Sequence, residues 1–487
     1  MPDRHWNEHL SLEQTSDYSW RIPRKDPMLV DGIIYADDRL MESIRADKCI
    51  QQVANVACLP GIVKNSIAMP DIHWGYGFPI GGVAAFDLDE GVISPGGVGY
   101  DINCGVRLLR TGIEYDEVRD DMESFVHALF RSVPTGVGSR RKDLRLSHGE
   151  MKKMVHDGAS WAVSQGFGDR EDLDAIEEGG CLPGADFDRV SDRAFERGRN
   201  QLGTIGSGNH FVEVGYVEEV YEPNFAADLG LCKNWLTVII HTGSRGFGYQ
   251  ICDDNLHQMA RAAERHGIYL PDRQLCCAPF KSDDGQRYMA AMSCGANFAF
   301  ANRQIITHRV RETIETVWGL TPRDHQVEVV YDVCHNIAKV EGHEVDGEKR
   351  ELCVHRKGAT RAFSAGHPQV PEKYRDVGQP VLVPGDMGRY SYVLVGNPES
   401  PRHTWATCCH GAGRVLSRTK ARSATRDRDI VRELKEQGIH IAASSRRTVD
   451  EEFPHAYKDV AEVVDVVHGA GLALKVARLR PVGVIKG

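Results

Sequence analysis

A histidine between two cysteines and a glycine-rich turn marks the segment 408–414, which reads CCHGAGR. Neutral imidazole is a good nitrogen nucleophile, and glycines allow backbone amides to approach a phosphate closely. His410 could therefore attack phosphorus while backbone N–H groups and Arg414 hold the phosphate oxygens. A histidine in a glycine-rich turn is more often structural, so phosphoryl transfer needs support from other residues.

Side chains that bind metals occur in four other segments. Asp101 and Cys104 are three residues apart in a glycine-rich loop, where both can reach one ion. His210 lies in a second glycine-rich segment, and His241 and His335 follow apolar runs. A thiolate can bridge two metals, and a carboxylate suits a hard cation such as manganese. Each residue also has a simpler explanation, as a hydrogen-bonded histidine or a buried cysteine, and no paired Cys-x-x-Cys motif indicates a zinc finger.

The elements that must position these side chains follow from hydrophobic periodicity. Apolar runs predict strands at 236–240, 327–333, 381–383 and 392–395. Amphipathic stretches predict helices at 115–133, 188–202, 288–317 and 459–467. Because strands and helices do not alternate regularly, we expect an α+β fold, a single large domain with mixed β-sheets surrounded by helices. No GxxxxGK[ST] segment is present, so the fold is expected to lack a P-loop.

The motif-bearing segments extend from residue 94 to residue 487 without a low-complexity linker or a repeat. We therefore expect one domain over residues 1–487, with residues 1–27 as a peripheral N-terminal extension. The chain has no apolar signal segment and no apolar run long enough to span a membrane. Its 13 cysteines are then expected to be reduced, which together predicts a cytoplasmic enzyme without a membrane partner.

The charge balance restricts how the chain could bind nucleic acid. With 59 basic and 69 acidic residues the net charge is −10, so RNA binding would require local basic patches. Arginines recur every four residues at Arg414, Arg418, Arg422 and Arg426. On a helix, this spacing would place them in one basic stripe. A second basic cluster lies in a predicted loop at Arg140, Arg141, Lys142 and Arg145. Either group could instead be an ordinary solvated surface.

Seven motif blocks together make the chain resemble the RtcB family of RNA-splicing ligases, from about residue 28 to residue 487. The blocks occur in the order typical of that family. They are 94–107 (SPGGVGYDINCGVR), 206–213 (GSGNHFVE), 241–246 (HTGSRG), 332–336 (DVCHN), 384–388 (PGDMG), 410–414 (HGAGR) and 484–487 (VIKG). An ordered set of seven blocks is far more specific than any single block.

The resemblance implies a reaction and its participants. Members of the family join an RNA 3′-phosphate, or a 2′,3′-cyclic phosphate that is first opened, to a 5′-hydroxyl. They use GTP and two manganese ions, and the nucleophilic histidine corresponds to His410, which would carry GMP to the RNA 3′-end. The implied substrates are tRNA halves or broken RNA ends, in tRNA splicing or RNA repair. An archease-type protein activates some relatives and is a further expected partner.

The resemblance also assigns site residues. Asp101, Cys104 and His210 resemble the ligands of one manganese ion, and Cys104, His241 and His335 those of the second. The positions expected around the guanine nucleotide are Asn209, His210, Phe211, Glu213, His335, Asn336, Pro384, Gly385, Asp386, Met387, Ser391, His410, Gly411, Ala412, Gly413, Tyr457 and Lys486. Glu213 can accept from guanine N1–H and N2–H₂, and Lys486 can donate to O6 or N7.

One position departs from the family pattern. Asp386 is a carboxylate where many relatives carry a small hydroxyl residue. An acid is compatible with the donors of a base or ribose but not with phosphates in the absence of a cation. A turn residue that hydrogen-bonds its own backbone is an equally good explanation of Asp386.

Two other functions are compatible with parts of this pattern. A bimetallic phosphoesterase acting on RNA ends would use the metal ligands but would need neither GTP nor a covalent His410 intermediate. A non-catalytic RNA-binding protein would not depend on Asp101 or Cys104. Covalent labelling of the protein by GTP separates ligation from both alternatives.

Overall fold

The apolar runs of the chain form the strands of two large sheets in a computed structural model that describes residues 6–400 and 404–487. The first sheet has eight strands, mostly antiparallel, with β18 added in parallel to β19. In spatial order it contains β11 (Glu328–Cys334), β7 (Gly105–Glu114), β9 (Trp235–Thr242), β8 (Phe211–Val220), β19 (Ala473–Lys486), β16 (Ser391–Gly396) and β15 (Pro380–Val383), with β18 (His440–Ala443) beside β19. All four predicted strands are confirmed within it.

The second sheet has seven strands and adjoins the first through loops that carry motif residues. In spatial order its strands are β1 (Glu13–Ser16), β2 (Ser19–Ile22), β3 (Asp31–Tyr35), β4 (Asn65–His73), β5 (Ile80–Asp87), β13 (Glu348–Lys357) and β12 (Asn336–Val345). Two small ribbons pair β6 (Val92–Ile93) with β10 (Ala278–Pro279) and β14 (Ala359–Arg361) with β17 (Thr407–Cys409). Strands 1 and 2 lie at the edge of this sheet, and whether residues 1–27 form a separable extension stays a prediction.

Helices cover the sheets, as expected for the α+β class. Within the described residues they are α1 (Asp38–Arg45), α2 (Cys49–Val56), α3 (Tyr115–Val118), α4 (Met122–Ser132), α5 (His148–Asp157), α6 (Ala159–Ser164), α7 (Asp192–Gly198), α8 (Pro223–Asp228), α9 (Arg245–Arg265), α10 (Asp283–Trp318), α11 (Pro322–His325), α12 (Arg418–Ala424), α13 (Ile430–Glu436), α14 (Arg446–Glu451) and α15 (Val460–Gly469). None of these helices combines the length and apolarity needed to cross a membrane.

The helix predictions succeed in part. The predicted helices at 288–317 and 459–467 correspond to α10 and α15, and the one at 115–133 is interrupted between α3 and α4. The prediction at 188–202 is too long, because α7 begins only after its N-cap Ser191 and ends at Gly198. The arginine stripe is also wrong as a continuous helix, since α12 spans only Arg418–Ala424 and leaves Arg414 and Arg426 outside.

Candidate functional site

The ends of four neighbouring strands bring the predicted metal ligands together. Cys104 immediately precedes β7, His210 precedes β8, His241 lies near the end of β9, and His335 follows β11. The register pairs Val106 with His241 across β7 and β9, and it pairs Phe211 with His241 across β8 and β9. Antiparallel and adjacent strands therefore place residues far apart in sequence at one level of the sheet.

The ligand atoms converge into two groups that share the Cys104 sulfur. Cys104 Sγ lies 3.3 Å from His210 Nε2 and 3.4 Å from His241 Nε2. His210 Nε2 is 2.7 Å from Asp101 Oδ2, and His241 Nε2 is 3.4 Å from His335 Nε2. The groups Asp101–Cys104–His210 and Cys104–His241–His335 each hold their ligand atoms within 4.8 Å of one another.

The electrostatics of this cluster fit bound cations. Burial lowers the pKa of His241 and of His335 well below the usual value, so both rings are neutral and carry lone pairs. Burial, followed by the charge of Asp101, raises the pKa of Cys104 well above its usual value. A cation would reverse that effect and stabilise the thiolate.

Burial raises the pKa of Asp101, but the charge and hydrogen bond of His210, the hydrogen bond of Cys104 and the charge of Arg245 together lower it below its usual value. The donor set of thiolate, imidazole and carboxylate suits a divalent transition metal. The cluster therefore forms a candidate metal centre, and the shared sulfur gives it room for two ions.

The long buried helix α10 holds the loops that carry these ligands. Arg303 donates from Nη1 to the carbonyls of Asn103 and Thr242, at 3.0 and 2.9 Å. Its guanidinium also forms an ion pair with the fully buried Asp332, at 2.8 Å. Asn302 donates to the carbonyls of Thr204 and Gly243, both at 3.1 Å. These contacts tie the Cys104, His210 and His241 segments to a single rigid element.

His410 lies beside the cluster and is oriented by a carboxylate. Asp71 Oδ2 accepts a hydrogen bond from His410 Nδ1 at 2.6 Å and from the backbone N–H groups of His410 and Gly411 at 3.1 and 3.2 Å. Because a carboxylate only accepts, Nδ1 carries a proton, and in the neutral ring Nε2 is the nitrogen with the free lone pair. The His410 ring lies 4.6 Å from the His335 ring, between centroids.

The turn after His410 requires its glycines. Gly413 has a positive φ of 77°, and a Cβ there would lie 2.2 Å from the carbonyl oxygen of Asp71. Only glycine permits this approach without displacement of the backbone. The loop therefore packs directly on β4 and holds His410 against Asp71.

A buried lysine fixes the same segment of β4. Lys458 Nζ donates to the carbonyls of Pro70 and Ile72, the residues on either side of Asp71, at 3.0 and 2.7 Å. Its backbone N–H donates to the carbonyl of Gly413 at 2.9 Å. Burial lowers the pKa of Lys458 to about 8. Lys458 thus links the strand of Asp71 to the turn of His410.

Sequence analysis did not predict that Asp71 and Lys458 belong to this site. Asp71 belongs to the segment 70–75, PDIHWG, in which an Asp-x-His pair followed by Trp-Gly resembles the other polar loops. That pattern is a signal, but it lies 339 residues from His410 and does not indicate its partner.

Most of the predicted nucleotide-binding residues line one cavity beside His410. Those around it are Asn209, Phe211, Glu213, His335, Asn336, Pro384, Gly385, Asp386, Met387, His410, Gly411, Ala412, Gly413, Tyr457 and Lys486. His210 and Ser391 do not line it directly. His210 belongs to the metal cluster, and Ser391 supports Glu213 by donating to Oε1 at 2.9 Å.

Neighbouring strands place the acidic and basic groups predicted for guanine in the lining of this cavity. Glu213 on β8 is paired with Val484 of β19, and Phe211 is paired with Lys486. Lys486 Nζ lies 5.2 Å from the centre of the Phe211 ring. Burial raises the pKa of Glu213 to about 8 and lowers that of Lys486. Burial therefore favours the neutral form of each side chain, and a bound partner of complementary polarity would offset this effect.

Asp386 lines the cavity but is partly committed to its own turn. Its Oδ1 accepts from the backbone N–H of Gly388 at 2.9 Å, and its Oδ2 lies 3.2 Å from Arg389 Nε. Burial raises its pKa to about 6. The turn-residue explanation thus has a structural basis, and contact of Asp386 with a nucleotide stays a prediction.

The predicted arginines have different surroundings. Arg414 donates to Glu452 Oε1 and Tyr457 Oη, at 3.0 and 3.1 Å. Arg418 is more exposed and lies 3.6 Å from Glu452, while Arg422 lies 3.5 Å from Glu451. In the loop cluster, Arg141 is buried and pairs with Asp143; Arg140, Lys142 and Arg145 are exposed. Acidic partners therefore offset much of the charge expected from the stripe.

Comparisons with known proteins identify relatives across almost the whole chain. Residues 52–487 match the family model described as tRNA-splicing ligase RtcB. A protein of that name from Thermococcus kodakarensis is 54% identical over 481 residues, which cover 99% of this chain and 100% of the relative. The Archaeoglobus fulgidus protein is 51% identical, covering 98% and 99%. A Mycobacterium tuberculosis protein named RNA-splicing ligase RtcB is 50% identical over 438 residues, covering 90% and 100%.

Proposed function

The chain belongs to the RtcB family, described as tRNA-splicing ligase, and from that premise we propose that it is an RNA ligase. In our proposal it joins a 3′-phosphate or 2′,3′-cyclic phosphate end to a 5′-hydroxyl end, in tRNA splicing, RNA repair or both. The reaction depends on GTP and passes through a covalent histidine–GMP intermediate. The observation that carries this proposal is His410, with Nδ1 bound to Asp71 and Nε2 free beside the metal ligands.

The first step uses the lone pair of His410. Nε2 forms a bond to the α-phosphorus of GTP while the bond from that phosphorus to the pyrophosphate oxygen breaks. The imidazole becomes positively charged because Nδ1 keeps its proton, and the Asp71 carboxylate at 2.6 Å stabilises that charge. Asp71 also holds the ring in position through the backbone of the His410 turn.

Base recognition falls to Glu213, Lys486 and Phe211. Glu213 would accept from guanine N1–H and N2–H₂, and Lys486 would donate to O6 or N7. An adenine presents the opposite polarity at these atoms, so the pair selects GTP over ATP. The support for this assignment is that these residues lie together in the cavity that contains His410.

The remaining steps transfer GMP to RNA and then release it. A 2′,3′-cyclic end is first opened by water to a 3′-phosphate. An oxygen of the RNA 3′-phosphate attacks the phosphorus bound to His410, and the N–P electrons return to Nε2. The 5′-hydroxyl oxygen then attacks the 3′-phosphate phosphorus, loses its proton, and displaces GMP. Two manganese ions held by Asp101, Cys104, His210, His241 and His335 would offset phosphate charge at each transfer.

The decisive experiment follows the label of α-labelled GTP after incubation with manganese and denaturing electrophoresis. We expect acid-labile label on the wild type and none on His410→Ala, which should still seal RNA with a pre-guanylylated 3′-end. His156→Ala serves as the matched control, because that side chain is 78% exposed. Label on His410→Ala at the wild-type level would rule out the nucleophile assignment.

The same experiment separates ligation from the metal-dependent phosphoesterase. A phosphoesterase would use the metal ligands without retaining label, and it would release phosphate from RNA ends instead of joining them. That alternative leaves unexplained the Asp71–His410 pair and the Glu213–Lys486 cavity. tRNA halves and broken RNA ends, an archease-type activator and a cytoplasmic location remain part of the proposal.

A further inference from the structure

A second groove adjoins the nucleotide cavity and shares Arg414 with it. Its volume is about 600 Å³, and its exposed lining residues include Trp74, Val415, Lys48 and Lys420. We call it the Trp74 groove. No motif or proposed catalytic step uses these four residues.

Trp74 combines a restrained backbone with an exposed ring. The backbone N–H of Trp74 donates to Asp47 Oδ2 at 3.1 Å. The backbone N–H of the next residue, Gly75, donates to the side-chain oxygen of Gln52, and the side-chain amide of Gln52 donates to the Gly75 carbonyl. The side chain is nevertheless 47% exposed. Within residues 6–400 and 404–487, no aromatic ring or cationic group packs against the indole. A large aromatic face is therefore held at the surface, available for stacking.

The charge of the groove favours an anion. Lys48 and Lys420 are exposed, and neither ammonium has a carboxylate partner among the described residues. The acidic residue of the groove, Asp47, is occupied by the backbone N–H groups of Cys49 and Trp74. Lys458 is turned away towards the carbonyls beside Asp71. The groove thus combines two ammonium groups, without carboxylate partners among the described residues, with one exposed aromatic ring, although the chain has a net charge of −10.

The groove adjoins the proposed catalytic cavity, and Arg414 lines both. Trp74 directly follows His73, which lines that cavity and accepts a hydrogen bond from the backbone N–H of Arg414 at 3.4 Å. Arg414 lines both spaces, and its charge is already offset by Glu452. A strand whose end reaches His410 can therefore extend past Arg414 into the groove.

We propose that the Trp74 groove binds the single-stranded part of an RNA substrate close to the end that is joined. One base stacks on the Trp74 indole, and adjacent phosphates contact Lys48 and Lys420. Every base has an aromatic face and every nucleotide a phosphate, so this contact tolerates any sequence. The inference rests on the proposed RNA-ligase function, for which it supplies a substrate-binding surface.

The test measures RNA affinity by fluorescence anisotropy, with a 3′-phosphate and a 5′-hydroxyl single-stranded oligonucleotide titrated separately. Trp74→Ala should weaken binding of at least one oligonucleotide about tenfold, whereas Trp74→Phe should keep most of the affinity. Tyr269→Ala is the control for loss of an exposed aromatic residue. The oligonucleotide that loses affinity identifies the strand that occupies the groove.

Salt dependence tests the lysines. In Lys48→Ala/Lys420→Ala the slope of log affinity against log salt should fall by about 1.4, as expected for two lost phosphate contacts to a single strand. Lys153→Ala/Lys233→Ala, at two exposed lysines elsewhere, should keep the wild-type slope. This measurement remains decisive if Trp74→Ala folds poorly.

Labelling of His410 with GMP should be unchanged in all groove variants, because GTP contacts other residues. Absence of labelling in the wild type would contradict the proposed function and leave the groove measurement intact. Wild-type affinity for both oligonucleotides in Trp74→Ala, together with an unchanged salt slope in the lysine variant, would overturn the groove proposal. That result would be expected if the Trp74 groove binds a protein partner instead of RNA.

Discussion

The chemistry proposed for His410 depends on one carboxylate that controls its tautomer. Asp71 accepts three hydrogen bonds from the His410–Gly411 segment and leaves Nε2 as the free ring nitrogen. Lys458 in turn anchors the two residues that flank Asp71. The orientation of this imidazole therefore depends on two other parts of the chain, the strand of Asp71 and the segment of Lys458.

Asp71→Asn should slow the transfer of GMP to His410 by about 10²-fold or more. The amide NH₂ can donate to Nδ1, which moves the ring proton to Nε2 and removes the attacking lone pair. Single-turnover labelling with α-labelled GTP measures this rate. Asp120→Asn, at an exposed carboxylate, is the control. A wild-type rate in Asp71→Asn, at unchanged metal content, would show that Asp71 does not set the tautomer.

Guanosine binding should depend on pH through Glu213. Burial raises the pKa of this carboxyl to about 8, and its charged form is the one that accepts from guanine. Affinity should therefore rise from pH 6 to pH 8, and Glu213→Gln should be weaker and nearly independent of pH. Calorimetry with guanosine avoids titration of phosphates. Glu219→Gln on the same strand is the control, and a pH-independent wild type would contradict the assignment.

The same pKa has a consequence for stability. The native state keeps a proton on Glu213 that the unfolded chain releases above about pH 4.5. The contribution of this group to the free energy of unfolding is complete below that pH and is lost as pH rises towards 8. Glu213→Gln should remove this part of the pH dependence in denaturant titrations.

At the scale of elements, the metal loops depend on α10 more than on their own sequence. This 36-residue helix is buried along most of its length, and its buried residues Asn302 and Arg303 contact the loops at the ends of the sheet strands. Arg303 and Asn302 donate hydrogen bonds to backbone carbonyls in and beside the glycine-rich loops. The helix therefore supplies the order that loops rich in glycine lack.

Arg303→Met should destabilise the protein by about 3–5 kcal/mol, because it leaves Asp332 as a buried and partly uncompensated charge. Loss of the contacts to Asn103 and Thr242 should also weaken manganese binding. Denaturant unfolding and elemental analysis measure the two effects. Arg265→Met removes an ion pair between the exposed Arg265 of α9 and Asp284 of α10, and should cost no more than about 1 kcal/mol. Equal stability of the two variants would refute this role of α10.

For the whole molecule, the candidate site joins regions that are distant in the chain. The candidate metal ligands come from residues 101 to 335, His410 comes later, and Lys486 lies on the last strand. Both large sheets contribute, since Asp71 is on β4 of one and Glu213 on β8 of the other. Binding at such a site should stabilise most of the fold at once.

Manganese should raise the free energy of unfolding by about 2.7 kcal/mol when its free concentration is 100 times the dissociation constant. The reason is that the separated ligands converge only in the folded chain. Cys104→Ser should lose this stabilisation, because it removes the sulfur shared by both ligand groups. Thermal unfolding at increasing manganese concentration measures it, and Cys232→Ser at an exposed cysteine is the control. An equal shift in Cys104→Ser would exclude the shared role.

Residue types and local spacing were sufficient to predict much of this protein. Glycine-rich loops pointed to Asp101, Cys104 and His210, and continuous apolar runs predicted β9 and β11, which lead to His241 and His335. These signals are local, because strand burial and loop flexibility depend on neighbouring residues. The ordered motif blocks also predicted the family, and the whole-chain matches confirm it.

Tertiary structure alone decided which distant groups meet. Asp71 and His410 are 339 residues apart, and only the packing of the 410 turn on β4 brings them to 2.6 Å. Spacing of four suggested a long arginine stripe, yet α12 covers Arg418–Ala424 only, and acidic residues from α14 and the turn after it neutralise much of its charge. Sequence periodicity predicts which residues share one face of a helix or strand. Contacts between different elements depend on strand order and register, which periodicity does not predict. That is why local sequence could indicate the members of the candidate metal cluster but not the carboxylate that hydrogen-bonds His410.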